Sequence, residues 1–258
     1  MIRKPFLKSS IFALAIASQV ATAGGIERPS KDAFAYSAMT YEQSLAAVKD
    51  LTKKCSPTNT QACVDVAYIC ANNDTFNERN PTEEKCTYKT TVTPLEIGCK
   101  AGSVLACYRL YQRKYTMPGT RTGDEFKMVM ESLKRGCDSG FALACHYIAP
   151  DNPKTPADRK KAVELLSKAC DAGAQRACTT AGSIDSKKSK EFARKGCFSC
   201  QNGVYDIHDA VDGASSCLAR FSGDKKLESD PKGCAGVLKN ACKKGFKVAC
   251  PGYFSMGD

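Results

Sequence analysis

Beyond residue 40 the chain is patterned with a helical period. In MVMESLKRGC (128–137) and AVELLSKAC (162–170), apolar residues recur every three to four positions, the spacing that lines one face of an α-helix. Both segments carry Lys or Arg near their ends, which suits the negative pole of a helix dipole. Three residues past each closing Cys stands a Gly, at 140 and 173. Gly suits the left-handed turn that stops a helix. A second apolar run begins at once, as in SVLACYRLYQRKY (103–115). The pattern predicts helix, tight turn, helix, written several times over.

The turns share one motif. CKAGSVLAC (99–107), CDSGFALAC (137–145), CDAGAQRAC (170–178) and CKKGFKVAC (242–250) place two cysteines around seven residues, and CSPTNTQAC (55–63) repeats the spacing without the Gly. A Leu stands four residues before each first cysteine: Leu51, Leu95, Leu133, Leu166 and Leu238. An Ala precedes each second one: Ala62, Ala106, Ala144, Ala177 and Ala249. A small Ala lets two helices approach closely. The first cysteine ends one helix and the second lies early in the next. An antiparallel hairpin brings those places within disulfide reach. The expected staples are therefore Cys55–Cys63, Cys99–Cys107, Cys137–Cys145, Cys170–Cys178 and Cys242–Cys250.

A damaged sixth copy lies at EFARKGCFSCQNGVY (191–205). Cys197 keeps the first cysteine's place, Ala193 replaces the Leu, Cys200 replaces the Gly, and Tyr205 stands where the second cysteine belongs. First cysteines then recur at steps of 44, 38, 33, 27 and 45 residues. Most of these steps match repeats made of helix pairs, which stack because one hairpin cannot bury its apolar face alone. The reading is an array of five to six hairpins over residues 41–258, preceded by a linker at 24–40 and interrupted by polar inserts near 71–91 and 218–233. Cys70 and Cys86 flank the first insert, Cys217 and Cys234 the second, so loop-closing bridges 70–86 and 217–234 are expected. Elimination then leaves Cys197–Cys200, and the pairing among 197, 200, 217 and 234 stays open to exchange.

The first residues change the picture of where the chain works. Basic Arg3, Lys4 and Lys8 precede IFALAIASQVA (11–21), and ATA (21–23) ends the run with small residues. That is the pattern of a secretory signal cleaved after Ala23, and the apolar run is too short to span a bilayer. Removing it lowers the formal charge from +11 to +8. Sixteen cysteines in an exported chain argue for disulfides. The expected location is the periplasm or the extracellular space, with no transmembrane anchor. Two histidines among so many cysteines give little support to a zinc site.

The hairpin unit, clearest in LSKACDAGAQRAC (166–178), resembles the Sel1-like repeat, a relative of tetratricopeptide repeats. The Cys-x7-Cys staple in each good copy resembles the secreted Helicobacter cysteine-rich proteins, which are built from disulfide-bridged Sel1-like hairpins. The likeness runs over roughly residues 41–256. The departures are the copy at 191–205, the two polar inserts, the Cys197/Cys200 pair, and the lack of a Gly-x-Gly turn between hairpins, to which MPGTRTGDEF (117–126) comes nearest. The resemblance implies an all-α, right-handed solenoid. It also implies one of two roles: a scaffold that binds a protein or peptide in a concave groove, or binding and slow hydrolysis of β-lactams, whose natural counterpart would be a cell-wall fragment.

Direct signs of chemistry are sparse. A serine penicillin enzyme needs Ser-x-x-Lys with supporting SDN and KTG elements. The chain offers SGDK (222–225) and SDPK (229–232) in one polar insert, with neither SDN nor KTG. CFSC (197–200) has the spacing of a redox pair but no βαβ context. His146 follows Cys145 on an expected helix, and His208 stands among Asp206, Asp209 and Asp212 in a weak candidate cation cluster. No cofactor and no nucleic-acid partner are expected, since no recognition motif is present. Tyr108, Tyr111 and Tyr115 form a stripe on one helix, with Tyr147 at a related place. That stripe belongs either to the core or to a peptide groove. The expected function is an exported scaffold for protein or peptide partners. β-Lactam binding is the alternative.

Overall fold

The structure is a computed structural model, which describes residues 30–31, 35–36, 38–72, 86, 88–116, 119–150, 152–198, 200, 210–211, 214, 217, 221, 224–226 and 230–244. The expected signal segment and cleavage site lie outside these residues, as do Ser222, Ser229, His208 and its three aspartates. Among the described residues the protein is all-α. Its helices are α1 (Tyr41–Lys54), α2 (Thr60–Asn72), α3 (Tyr88–Lys100), α4 (Val104–Lys114), α5 (Gly123–Asp138), α6 (Cys145–Ile148), α7 (Pro156–Asp171), α8 (Gln175–Ile184), α9 (Ser189–Cys197) and α10 (Cys234–Lys243). Short 3-10 turns precede α6 and α9, at Ala142–Ala144 and Ser186–Lys188. α2 runs to Asn72 and α3 starts at Tyr88, so both edges of the first polar insert are helical and the insert is shorter than its sequence suggested.

Helix starts follow local chemistry. Thr40 caps α1 in a reciprocal box: its hydroxyl accepts from the Gln43 N–H at 3.2 Å, and its own N–H donates to the Gln43 side chain at 2.9 Å. Ser103 and Thr155 cap α4 and α7 by accepting from Ala106 and Asp158 N–H groups. Ends are equally local. In three hairpins the Gly after the first cysteine has a positive φ: 100° at Gly102, 103° at Gly140 and 102° at Gly173. In each, the Gly N–H donates to the cysteine carbonyl, and the next N–H reaches five residues back, as in Ser103 to Gly98, Phe141 to Gly136 and Ala174 to Ala169. This is the double hydrogen bond of a Schellman stop, which satisfies otherwise orphaned carbonyls.

The first hairpin lacks that Gly and solves the turn otherwise. α1 ends one residue before Cys55, whose backbone is extended. Asn59 N–H donates to both the carbonyl and the hydroxyl of Ser56, and the Asn59 side chain accepts from Ala62 N–H at the start of α2. The third hairpin departs in its second half. Ala149 precedes Pro150, and a residue before proline is steered out of the helical region. Ala149 is accordingly extended, and α6 stops after one turn.

The staples join the helices as the spacing implied. Cα–Cα distances are 4.7 Å for Cys55–Cys63, 4.6 Å for Cys99–Cys107, 4.9 Å for Cys137–Cys145 and 4.7 Å for Cys170–Cys178. Each closes a loop small enough to contribute roughly 2–3 kcal/mol through the entropy of the unfolded chain. Cys70–Cys86 also forms, from the last turns of α2 to the residues before α3, and so ties one hairpin to the next. Cys242 is disulfide-bonded as well, with Cys250 outside the described residues.

The expected pairs 197–200 and 217–234 do not form. Cys197 bonds Cys217, and Cys200 bonds Cys234, with Cα–Cα distances of 5.1 and 5.0 Å. The reason is positional. Cys197 closes α9 as the other first cysteines close their helices, and it still needs a partner from the following segment. Cys200 lies beyond the helix end and faces Cys234, at the start of α10, to which its N–H also donates at 3.2 Å. The sequence registered Cys197 as a damaged staple. In the fold it is a displaced staple whose second half has moved to Cys217.

Neighbouring helices pack in chain order through α9, and helices two apart also touch: α2 with α4, α3 with α5, α7 with α9. Small residues sit at the crossings. The alanines before the second cysteines, Ala62, Ala106, Ala144 and Ala177, are all buried, three of them completely. The residue before the first cysteine is Gly in three hairpins. A side chain on Gly136 would strike Val104 of the preceding hairpin, and one on Gly196 would strike Gln175. One continuous core runs from Tyr36 to Phe192. Part of the expected linker is docked on it: Tyr36 is buried, lies against the Tyr68 ring and donates to Asp65 at 2.8 Å. A second small cluster gathers Cys200 and Cys234 with Ala210, Ala214, Leu238 and Ala241.

These crossings make a direct prediction. A Cβ at Gly98 would lie 2.9 Å from the Ala106 Cβ. Gly98→Ala is expected to destabilise the oxidised protein by about 1–3 kcal/mol through overpacking, read as a lower thermal midpoint. Adding Ala106→Gly should restore part of the loss. Equal midpoints for Gly98→Ala and the parent would contradict the close approach.

Candidate functional site

Among the described residues, the expected chemical groups are not gathered into one site. Lys225 and Lys232 of the two Ser-x-x-Lys matches are exposed, and their serines lie outside the described residues. His146 is half-buried on the one-turn helix α6 and stacks on Tyr147 with ring centroids 4.7 Å apart. No free cysteine is present among the described residues. Cys197 and Cys200 are both buried in separate bridges, so CFSC is not a redox pair in the folded protein. No group of three or more His, Cys, Asp or Glu side chains is placed to hold a metal among the described residues.

The tyrosine stripe belongs to the core. Tyr108, Tyr111 and Tyr115 are each at most 4 % exposed. Tyr111 stacks on Tyr147 at 4.4 Å, and Tyr108 meets Phe141 edge-on at 5.9 Å. The rings therefore join α4 to the third hairpin. An ionic network closes the same joint. Lys114, at the end of α4, bonds Glu96 of α3 at 2.7 Å and pairs closely with Glu125 of α5. Tyr115 donates its hydroxyl to Glu125 at 2.6 Å. Burial works to raise the Glu125 pKa, but the hydrogen bonds from Lys114 and Tyr115 outweigh it and hold this carboxyl below its ordinary value. Burial and the same carboxylate push the Tyr115 phenol well up. Nearby, Arg109 of α4 lies 4.0 Å over the Tyr68 ring of α2, a buried cation–π contact between the first two hairpins.

A concavity lies elsewhere among the described residues. A cleft of about 510 Å³ opens between the first half of α7 and the turn from α8 to α9. Half-buried Val163 and Ile184 line it, and exposed Arg159, Lys160, Lys187 and Lys188 surround them. Two acids share the lining. Asp185 is engaged in the turn, where its side chain accepts from Lys188 N–H. Glu164 is exposed.

The cleft lies in a basic part of the chain. Residues 152–195 carry eleven Lys and Arg against five Asp and Glu, whereas residues 41–116 carry ten against eight. Three of the five acids in the basic stretch have local partners besides Asp185. Thr155 donates to Asp158 at 2.8 Å, and Lys195 pairs with Asp171 at 3.0 Å and with Glu191 at 3.7 Å. An apolar floor with a cationic rim suits an apolar side chain flanked by carboxylates. Ser186 also lines the cleft, beside Asp185 and Lys187 in the turn. The sequence reading missed this site because its basic residues come from two segments about 25 residues apart, and only the packing of α8 and α9 on α7 brings them together.

No family model matches the chain, and no curated protein or solved structure matches it.

The ionic joint is testable by pH. A carboxyl whose folded pKa is depressed contributes stability above its unfolded value, near 4.3 for Glu, and loses that contribution as pH falls through the lower folded value. Glu125→Gln is expected to cost about 1–2 kcal/mol at neutral pH and to flatten the fall of stability below about pH 4.3. Denaturant midpoints of parent and variant across pH 2–7 check this. Parallel curves would remove Glu125 from the joint.

Proposed function

We propose that the chain is an exported, disulfide-stapled scaffold that captures an acidic peptide segment of a protein partner in the cleft between α7 and the α8–α9 turn. The single observation carrying this reading is the cleft itself: two apolar floor residues ringed by four cations, set in a part of the chain with a net positive excess. Charge complementarity of this kind steers encounter and orients the partner.

The architecture supports the same reading. Contacts between helices one and two apart, regular staples and buried small residues at the crossings fit a right-handed solenoid of Sel1-like hairpins. In such an array each repeat adds a rigid segment of binding surface. Seven bridges among the described cysteines and the absence of any described helix long and apolar enough to cross a membrane fit work in the periplasm or outside the cell, reached through the signal at residues 1–23. The β-lactam alternative has only its resemblance behind it.

The test is a binding titration. Labelled peptides pairing one Leu or Ile with flanking Asp and Glu should bind the oxidised protein, and amide-substituted controls should not. Reversing Lys187 and Lys188 to Glu should weaken binding at least tenfold while the thermal midpoint stays within about 2 °C. Binding unaffected by the reversal would move the site elsewhere. In parallel, the protein is incubated with a labelled penicillin and weighed intact. The scaffold reading expects no adduct and no turnover. A stable adduct, lost on replacing the labelled residue, would overturn it in favour of β-lactam chemistry.

A further inference from the structure

Every described bridge up to Cys178 joins cysteines that are consecutive in the sequence: 55–63, 70–86, 99–107, 137–145 and 170–178. The next four cysteines break that order. Cys197–Cys217 and Cys200–Cys234 interleave: Cys200 lies inside the first bridge's loop and its partner Cys234 lies beyond it. A chain that emerges from its N-terminus into an oxidising compartment exposes Cys197 and Cys200 together, seventeen residues before Cys217. The entropy of loop closure favours the nearer partner. Pairing on emergence therefore gives 197–200, and afterwards 217–234, which is the wrong set.

That error does not repair itself within the folded protein. Cys197, Cys200, Cys217 and Cys234 are all buried, Cys234 completely. The Cys200–Cys234 bridge is itself the centre of the small C-terminal cluster with Ala210, Ala214, Leu238 and Ala241. With the wrong pairing that cluster has no bridge at its centre, and the exchange must happen before the segment packs.

We infer that maturation of this chain requires a thiol–disulfide isomerase acting on the quartet Cys197, Cys200, Cys217 and Cys234, whereas the preceding bridges need an oxidant alone. The exchange is redox-neutral. An isomerase thiolate attacks one sulfur of the 197–200 bond and forms a mixed disulfide, releasing the other cysteine as a thiolate. That thiolate attacks the 217–234 bond. The freed thiolate then displaces the isomerase or continues the exchange until 197–217 and 200–234 are in place. Two disulfides enter and two leave, and the isomerase recovers its thiolate. This inference is independent of what binds the α7 cleft.

The experiment exports the full chain in a bacterial host that has a dithiol oxidase, with and without its disulfide isomerase. Bridges are mapped by mass spectrometry without reduction. Chymotryptic cleavage after Phe198 separates Cys197 from Cys200, and tryptic cleavage after Arg220 separates Cys217 from Cys234. Without the isomerase, 197–200 and 217–234 should exceed the native pairs severalfold while the five earlier bridges stay correct. Adding purified isomerase with catalytic reduced glutathione should convert the misbridged protein to 197–217 and 200–234. The double variant Cys200→Ser/Cys234→Ser removes the interleaving and should form 197–217 equally well in both hosts. Native pairing in the isomerase-free host would overturn the inference. So would continued isomerase dependence of 197–217 in the double variant.

Discussion

The structure depends on one constraint: a cysteine in the closing residues of one helix must meet a cysteine in the first turns of the next. Once the turn between them is as short as the Cys-x7-Cys spacing allows, the two helix ends lie within 5 Å Cα to Cα. Nothing large fits beside such a junction. The alanine before the second cysteine and the glycine before the first follow from that crowding rather than from any chemistry of their own. The same small residues then serve the next contact, because the flank left open beside each staple is where the neighbouring hairpin packs. Staple and stacking are thus two uses of one narrow place.

The turn tolerates more variety than the staple. Gly102, Gly140 and Gly173 make the same left-handed stop, yet the first hairpin reaches a similar cysteine separation through hydrogen bonds among Ser56, Asn59 and Ala62. What the array does not absorb without rearrangement is loss of the second cysteine. After α9 the partner of Cys197 has moved to Cys217. Cys200, standing where the turn glycine would be, is recruited to hold the next helix instead. Together with Cys70–Cys86 it makes a second class of bridge, joining hairpins rather than closing them. Both bridges occur where polar inserts separate successive units; at the first, covalent linkage adds to the apolar packing of α2 on α3.

Charge and packing are distributed differently along the array. The first three hairpins are joined by buried aromatic rings, a cation–π contact and the Glu96–Lys114–Glu125 network, so Arg109, Lys114, Glu96 and Glu125 serve the joints between them. The fourth and fifth carry an excess of cations around an open cleft. Four of the five acids in that region are engaged by caps and local pairs, Glu164 stands exposed in the lining, and the cations still outnumber them around an apolar floor. Packing thus dominates the first three hairpins, and exposed charge the two that follow.

Much of this was legible in the chain. Helical period, turn glycines and cysteine spacing are local, and local signals predicted the hairpins, four of the staples and the Cys70–Cys86 bridge. The burial of Tyr108, Tyr111 and Tyr115 was half legible: their spacing put them on one face, but which side that face met depended on Phe141 and Tyr147 of the next hairpin. The early end of α6 is equally local, set by Pro150 on the residue before it. Two features were decided only in three dimensions. The pairing of Cys197, Cys200, Cys217 and Cys234 depends on how α10 is placed against the end of α9. The basic cleft joins two segments that are unremarkable apart. Periodicity and spacing determine what a residue does within its own turn of helix, while partnership between distant turns is set by packing, which no local pattern encodes.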